Sequence, residues 1–206
     1  MKNKVYSRMS SVGLLCFSLL LLAGCAGTVK HMKPVSSSQV SLQPEPGKSL
    51  LVFMRPSGMA FGIQSSVFEI VQKKPELVGI LAAKKKVVYA LEPGKHLFMV
   101  VGESADFMSA ELAPNKVYYA RVTPRIGFWK ARFSLAPVTP EQMKSPEFKE
   151  WLQESEWVEL TLDSQQWARE NMPSIESKYH KYYPEWLAKG AAKQPKLNPG
   201  DVSQGM

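Results

Sequence analysis

The run Leu50-Leu51-Val52-Phe53-Met54-Arg55 constrains the fold more than any other stretch of this chain. Successive side chains of an extended segment face opposite sides. Leu50, Val52 and Met54 therefore line one face, and Leu51 and Phe53 the other. A strand that is apolar on both faces must lie between two covering layers, so this one belongs at the centre of a sheet. Arg55-Pro56 ends it, because proline has no N–H to give to a ladder. An arginine at the end of a buried strand needs a partner or water. Two roles are open to Arg55. One is a salt bridge or a cap on loop carbonyls. The other is an anion or glycan contact beside the Gly58 to Gly62 loop.

Further short runs follow at 67–71, 77–82, 87–91, 97–101, 106–112, 117–122 and 128–135. The last has the clearest alternation, with Trp129, Ala131, Phe133 and Leu135 on one face and Lys130, Arg132 and Ser134 on the other. Between the runs stand turn signals. Pro93-Gly94-Lys95 combines the fixed φ of proline with the freedom of glycine, and Pro114-Asn115 is similar. The shared Leu-x-Pro-(Gly/Asn)-Lys frame of residues 91–95 and 112–116 reads as two hairpin-like corners. Lys84-Lys85-Lys86 reads as a solvated turn. The expected fold is mainly β: an antiparallel β-sandwich or open barrel of seven to eight short strands over residues 48–138, with a C-terminal helical extension.

The period changes after Val138. Thr139-Pro140-Glu141-Gln142 has the form of a capping box, and Ser145-Pro146-Glu147 offers a second helix start. Residues 157–162 suit a short extended link. A further cap at 163–166 opens a helix that Pro173 should interrupt. Ile175, Tyr179, Tyr182 and Trp186 then recur at helical spacing. This extension, 139–189, is rich in aromatic residues. Trp167, Tyr179, Tyr182 and Trp186 cover a sheet face, form a docking surface, since Tyr and Trp are the favoured anchors of interfaces, or meet a membrane interface beside Lys178, Lys181 and Lys189. Residues 190–206 lack periodicity and read as a loose tail.

The other end of the chain speaks to location. Lys2, Lys4 and Arg8 form a basic start, and 12–22 is an unbroken apolar run. Eleven residues at ~1.5 Å each cross about half of a bilayer core, which suits a signal-peptide core better than a membrane-spanning helix. Small residues Ala23 and Gly24 precede Cys25. The pattern Leu22-Ala23-Gly24-Cys25 after such a start resembles a bacterial lipoprotein signal. The resemblance implies cleavage between Gly24 and Cys25, removal of residues 1–24 and acylation of Cys25. Residues 25–47, with Ser36-Ser37-Ser38 and Pro44-Glu45-Pro46-Gly47, read as a lipidated tether that holds the domain clear of the membrane. Ala26, where inner-membrane-retained lipoproteins carry Asp, implies an outer-membrane location facing the periplasm. Residues 48–138 also resemble an uncharacterised small β-sandwich domain of bacterial lipoproteins. That likeness rests on Phe53-Met54-Arg55-Pro56 with Gly58, Val78-Gly79, Pro93-Gly94-Lys95-His96 and Lys116-Val117-Tyr118-Tyr119, and it implies no catalytic residues.

Cysteine usage sets the means of stabilisation. Cys16 lies in the discarded segment and Cys25 takes lipid, so no disulfide is available and packing must suffice. Three of the 26 basic residues precede Cys25, which leaves 23 against 18 acidic ones. That mild excess fits a generically soluble surface and also suits anionic lipid or cell-wall polymer, and no nucleic-acid signature accompanies it. His31, His96 and His180 share no ligand spacing, so no metal or other cofactor is expected. No Gly-x-Ser-x-Gly elbow is present. His96 with Asp106 and a loop serine is the only trio worth naming, and His96 reads more simply as a strand-edge residue. The sequence thus points to a membrane-anchored, non-enzymatic binding or scaffolding module with an envelope protein or cell-wall partner. A cell-wall hydrolase or a lipid or small-ligand carrier is the alternative.

Overall fold

The computed structural model describes residues 30–125 and 131–202. The signal segment, Cys25 and Trp129 lie outside the described residues. Eleven strands are present among the described residues: β1 (Met32–Val35), β2 (Ser49–Arg55), β3 (Ser65–Val71), β4 (Lys74–Leu81), β5 (Lys85–Leu91), β6 (Gly94–Val101), β7 (Ala105–Leu112), β8 (Val117–Arg125), β9 (Arg132–Pro137), β10 (Glu156–Leu160) and β11 (Lys196–Leu197). Three helices, α1 (Pro140–Met143), α2 (Pro146–Glu154) and α3 (Leu162–Leu187), occupy the C-terminal third. The strands form a sandwich. Its first sheet runs β1-β10-β5-β2-β8-β9 and its second β11-β7-β6-β3-β4.

β2 is central, as its two apolar faces require, and all seven of its residues are buried. Leu51 and Phe53 point between the sheets and cluster with Val67, Phe98 and Val100 of the second sheet. The Phe53 and Phe98 rings meet edge-on at 5.1 Å. Val52 and Met54 point the other way, into a cluster with Tyr119, Phe148 and Trp157. Beyond the second sheet, Phe68, Met99 and Phe107 are covered by Ile175, Tyr179 and Trp186 of α3. The result is four layers: α3, second sheet, first sheet and α2. Each fully buried side chain of this size contributes ~1.5–3 kcal/mol, and β2 collects that from both faces.

The sheets depart from the expected pattern in three ways. Residues 48–138 hold eight strands, β2 to β9, as expected, but β1, β10 and β11 are added to the sheets from the segments on either side. Three pairings are parallel: β2 with β8, β10 with β5 and β11 with β7. The two Leu-x-Pro corners are not hairpins either. The first carries the chain from β5 in one sheet to β6 in the other, and the second returns it from β7 to β8. Gly94 and Asn115, with φ of 127° and 59°, provide the sharp change of direction at these crossings.

The supposed tether is largely folded. β1 pairs with β10, Met32 opposite Leu160 through Val35 opposite Trp157. At the other end of this segment, Gly47 N–H donates to Asn115 Oδ1 (2.8 Å) and Asn115 N–H to the Lys48 carbonyl (2.7 Å). Pro34 is tolerated because β1 is an edge strand. The tail is also partly folded: β11 lies on β7, with Leu197 fully buried.

Lys84-Lys85-Lys86 is a turn only at Lys84, whose φ is 55°. Lys85 and Lys86 begin β5 and are buried. Lys85 pairs with Glu156, and Lys86 donates to the Leu152 carbonyl with its ammonium 4.6 Å from the centre of the Trp157 ring. Burial lowers the Lys86 pKa to about 8. Lys84 reaches Glu154 at 2.8 Å. All three lysines therefore hold the 152–157 segment against β5, which integrates the helical extension with the sandwich.

Helix starts follow the capping signals. Thr139 and Gln142 exchange side-chain and backbone hydrogen bonds at the start of α1, and Ser145 Oγ accepts from Phe148 N–H at the start of α2. α3 starts earlier than expected, on a cap in which Thr161 Oγ1 accepts from Ser164 N–H at 3.1 Å. It then continues through Pro173 and Pro184 for 26 residues. Each proline removes one rung of the ladder. Burial of Ile175, Tyr179 and Trp186 against the second sheet keeps the helix whole.

Because Leu197 is fully buried beside β7, Leu197→Ala should lower stability by ~2–4 kcal/mol, measured as a lower urea midpoint at unchanged slope. A dispensable tail would show no shift.

Candidate functional site

Arg55 stands at the end of β2 with 0% of its surface exposed. Its Nη1 donates to the carbonyls of Ile63 (2.5 Å) and Leu81 (3.2 Å). Its Nη2 donates to those of Met59 (2.9 Å) and Ala60 (2.7 Å). The guanidinium also lies 4.7 Å from the centre of the Phe133 ring. Burial lowers its pKa to about 10, which leaves it charged at neutral pH. Nε is buried without a hydrogen-bond partner. The arginine is thus the carbonyl cap of the two roles open to it, and no part of the fork faces solvent to meet an anion.

The cap determines how the 56–63 loop is presented. Its carbonyls turn inward to one cation, which drives its side chains outward. Met59, Phe61 and Ile63 are 52%, 63% and 45% exposed. Ala60 at φ 55° and the Ile63 N–H to Ala60 carbonyl bond (3.0 Å) complete the turn.

Beside this loop a cleft of about 430 Å³ opens between α3 and the ends of β3 and β6. Ile63, Val101, Trp167 and Ile175 supply its apolar walls, and Asn171 and Lys178 lie along the helix side. Asn171 Nδ2 donates to the Trp167 carbonyl and Lys178 Nζ to the Gly102 carbonyl, both at 2.8 Å. Gly102 is required on the opposite wall, since a Cβ there would lie 2.6 Å from the Phe133 ring.

The aromatic residues of α3 divide. Trp167 is half-buried in the cleft wall, its ring 5.9 Å from His31. Tyr179 and Trp186 are buried over Phe107, at 6.1 and 5.9 Å between ring centres. Tyr183 stacks between them, and Tyr182 is half-buried at the rim with the Lys181 ammonium 5.2 Å from its ring. The four named rings therefore do not share one exposed surface: two form the lid of the second sheet, and Trp167 alone reaches the cleft.

His96 is brought to an acidic residue that its spacing did not indicate. Its Nδ1 lies 2.6 Å from Glu69 Oε1, and Tyr89 donates to Glu69 Oε2 at 2.7 Å. Asp106 instead meets Lys189 at 3.3 Å. A clue existed in the sequence, because Glu69 sits between Phe68 and Ile70 in an apolar strand and so needs a buried partner. His96 Nε2 lies 2.9 Å from the Glu92 carbonyl. Both ring nitrogens thus face acceptors, and only the doubly protonated ring satisfies both. The hydrogen bond to Glu69 raises the His96 pKa in spite of burial. Burial alone pushes Glu69 up, but the bonds from His96 and Tyr89 and the imidazolium charge outweigh it and hold the carboxyl below its ordinary value. Burial and then the Glu69 hydrogen bond push the Tyr89 phenol up. The network ties β3, β5 and β6 together.

Among the described residues, no three His, Cys, Asp or Glu side chains are grouped to hold a metal ion. Fold and site together define a mainly β sandwich with an apolar loop and a helix-walled cleft. The sequence matches no protein-family model and no curated protein.

Arg55→Met removes the side-chain donor to the Met59 and Ile63 carbonyls, and leaves Ala60 with only Ile63 N–H and Leu81 with Ser65 Oγ; it should cost ~3 kcal/mol, seen as a lowered midpoint in urea denaturation. The stabilisation from His96 is complete below its ordinary pKa of 6.5 and fades as pH rises through the higher folded value. That from Glu69 is complete above 4.5 and fades as pH falls through the lower folded value. The pair therefore stabilises most between those limits. Glu69→Gln should move the His96 titration, followed by NMR of its ring protons, to lower pH.

Proposed function

We propose that this chain is a bacterial lipoprotein, related to the small β-sandwich lipoproteins it resembles. In this reading Cys25 anchors it by acyl chains to the outer membrane, facing the periplasm. The folded part acts there as a non-enzymatic binding or scaffolding module. The observation that carries the reading is Leu22-Ala23-Gly24-Cys25 behind a basic start and an eleven-residue apolar run. One myristoyl-sized chain holds a protein only reversibly, at ~0.8 kcal/mol per buried CH₂, whereas two or more hold it firmly. Acylation on both the sulfur and the new amino terminus of Cys25 meets that requirement. No helix among the described residues is long and apolar enough to cross a membrane.

The binding role draws support from the cleft beside α3. Its volume of about 430 Å³ falls within the ~300–1,000 Å³ of small-molecule sites, and its walls combine apolar side chains with a few polar ones. That observation also favours a second reading, a carrier of a small ligand. Such a ligand would sit between the helix and the second sheet, because Phe53 and Phe98 fill the space between the sheets. A hydrolase is less well supported, since His96 spends both ring nitrogens within the fold.

Cys25→Ala should abolish incorporation of a clickable palmitate and release the protein from the membrane fraction. Continued labelling of that variant would overturn the anchoring.

A further inference from the structure

Six large apolar side chains are exposed among the described residues: Met59, Phe61, Ile63, Leu160, Leu162 and Leu187. Three of them, Ile63, Leu160 and Leu162, stand at or beside the residues that hold 30–32 to the fold, and Met59 and Phe61 belong to the same loop as Ile63. Gln64, next to Ile63, donates its side-chain amide to the Lys30 carbonyl at 3.1 Å. Leu160 pairs with Met32 across the β1–β10 ladder. Leu162, 84% exposed, lies between two residues that hold His31. Thr161 Oγ1 donates to the His31 carbonyl at 2.9 Å, and Asp163 Oδ2 meets His31 Nδ1 at 2.7 Å. Leu187 stands at the other end of α3, ~38 Å from Leu162 at 1.5 Å per residue.

Lys30 is five residues from Cys25, and five extended residues span at most ~18 Å. A lipidated Cys25 therefore cannot hold this end of the domain away from the bilayer by more than about a headgroup layer and a short lead. The chain segment that was to act as a spacer is instead β1 and the turns that follow it. The end of the domain that this short lead holds at the lipid surface is the one rimmed by exposed apolar side chains.

We infer that the Met59–Ile63 loop, with Leu160 and Leu162 flanking, is a membrane-contact surface that seats in the headgroup–acyl boundary of the anchoring bilayer. The inference rests on the lipoprotein reading. Apolar side chains at an interface sink ~5–10 Å into that boundary. The Arg55 cap suits the loop to this task, because it satisfies the carbonyls from within and leaves the apolar side chains free to face lipid. Asp163 meets His31 and Lys33 pairs with Glu159, while Lys30 is exposed. One lysine adds only a small attraction to anionic lipid, so seating is driven mainly by the apolar groups. Its consequence is a fixed posture, with the loop end down and the Leu187 end of α3 projecting away.

The test uses the full chain, acylated in bacterial cells and reconstituted into vesicles of phosphatidylethanolamine and phosphatidylglycerol. With Cys25 blocked by lipid and Cys16 removed with the signal, Phe61→Cys provides one thiol for an environment-sensitive dye. A second preparation carries Leu187→Cys. We expect blue-shifted emission at position 61, strong quenching by spin-labelled lipid, and neither effect at 187. The result should be the same when phosphatidylglycerol is reduced. Water-like, unquenched emission at 61 in vesicle-bound, acylated protein overturns the membrane seat while leaving the anchor intact. Dye on Cys25 itself, in protein that does not float with the vesicles, overturns the anchor and the seat together.

Discussion

A strand with no wet side is the constraint to which the rest of this structure answers. β2 carries large apolar residues on both faces, so one layer of cover is insufficient. The second sheet supplies one layer, and α2 with the Trp157 end of β10 supplies the other. Such a strand must also end without exposing its polar groups to an apolar interior. Arg55 resolves that end. One planar cation reaches four carbonyls, three from the loop that follows β2 and one from β4, and closes the loop over the edge of the core. A lysine lacks the forked donor geometry to do the same.

The division into tether, sandwich, extension and tail dissolves once the partners are known. Edge strands come from both distant parts of the chain: β1 and β10 at one edge of the first sheet, β11 at one edge of the second. The three consecutive lysines show why this was hidden. In sequence they have the composition of a solvated turn. In space Lys85 and Lys86 are buried because Glu156, the Leu152 carbonyl and the Trp157 ring, some seventy residues later, neutralise and cover them. β1 is hidden in the sequence for a related reason. Only Met32 of its four residues is buried, so the segment has almost no pattern of its own and takes its form from β10.

What depends on local pattern was legible. The two-faced run of β2, the caps at Thr139 and Ser145, and the apolar stripe of α3 each follow from spacing a few residues long. The role of Arg55 was narrowed to two possibilities by its position alone, and the loop carbonyls decide between them. The His96 network was not legible, because its members come from three strands and no spacing links them. The length of α3 was underestimated for an energetic reason. A proline weakens a helix locally, but the aromatic lid over Phe107 recovers more than that loss through contacts that the helix alone does not reveal.

The pairing of β1 with β10 has a consequence for assembly. Met32 finds its neighbour at Leu160, so β1 must wait for well over a hundred further residues before its edge is completed. Contacts so far apart in sequence are slow to form, because a long loop has to close first. Until residues 156–160 have been made, the edge of the first sheet beyond β5 stays open, and the sheet is finished only when this later segment zips in between β5 and β1.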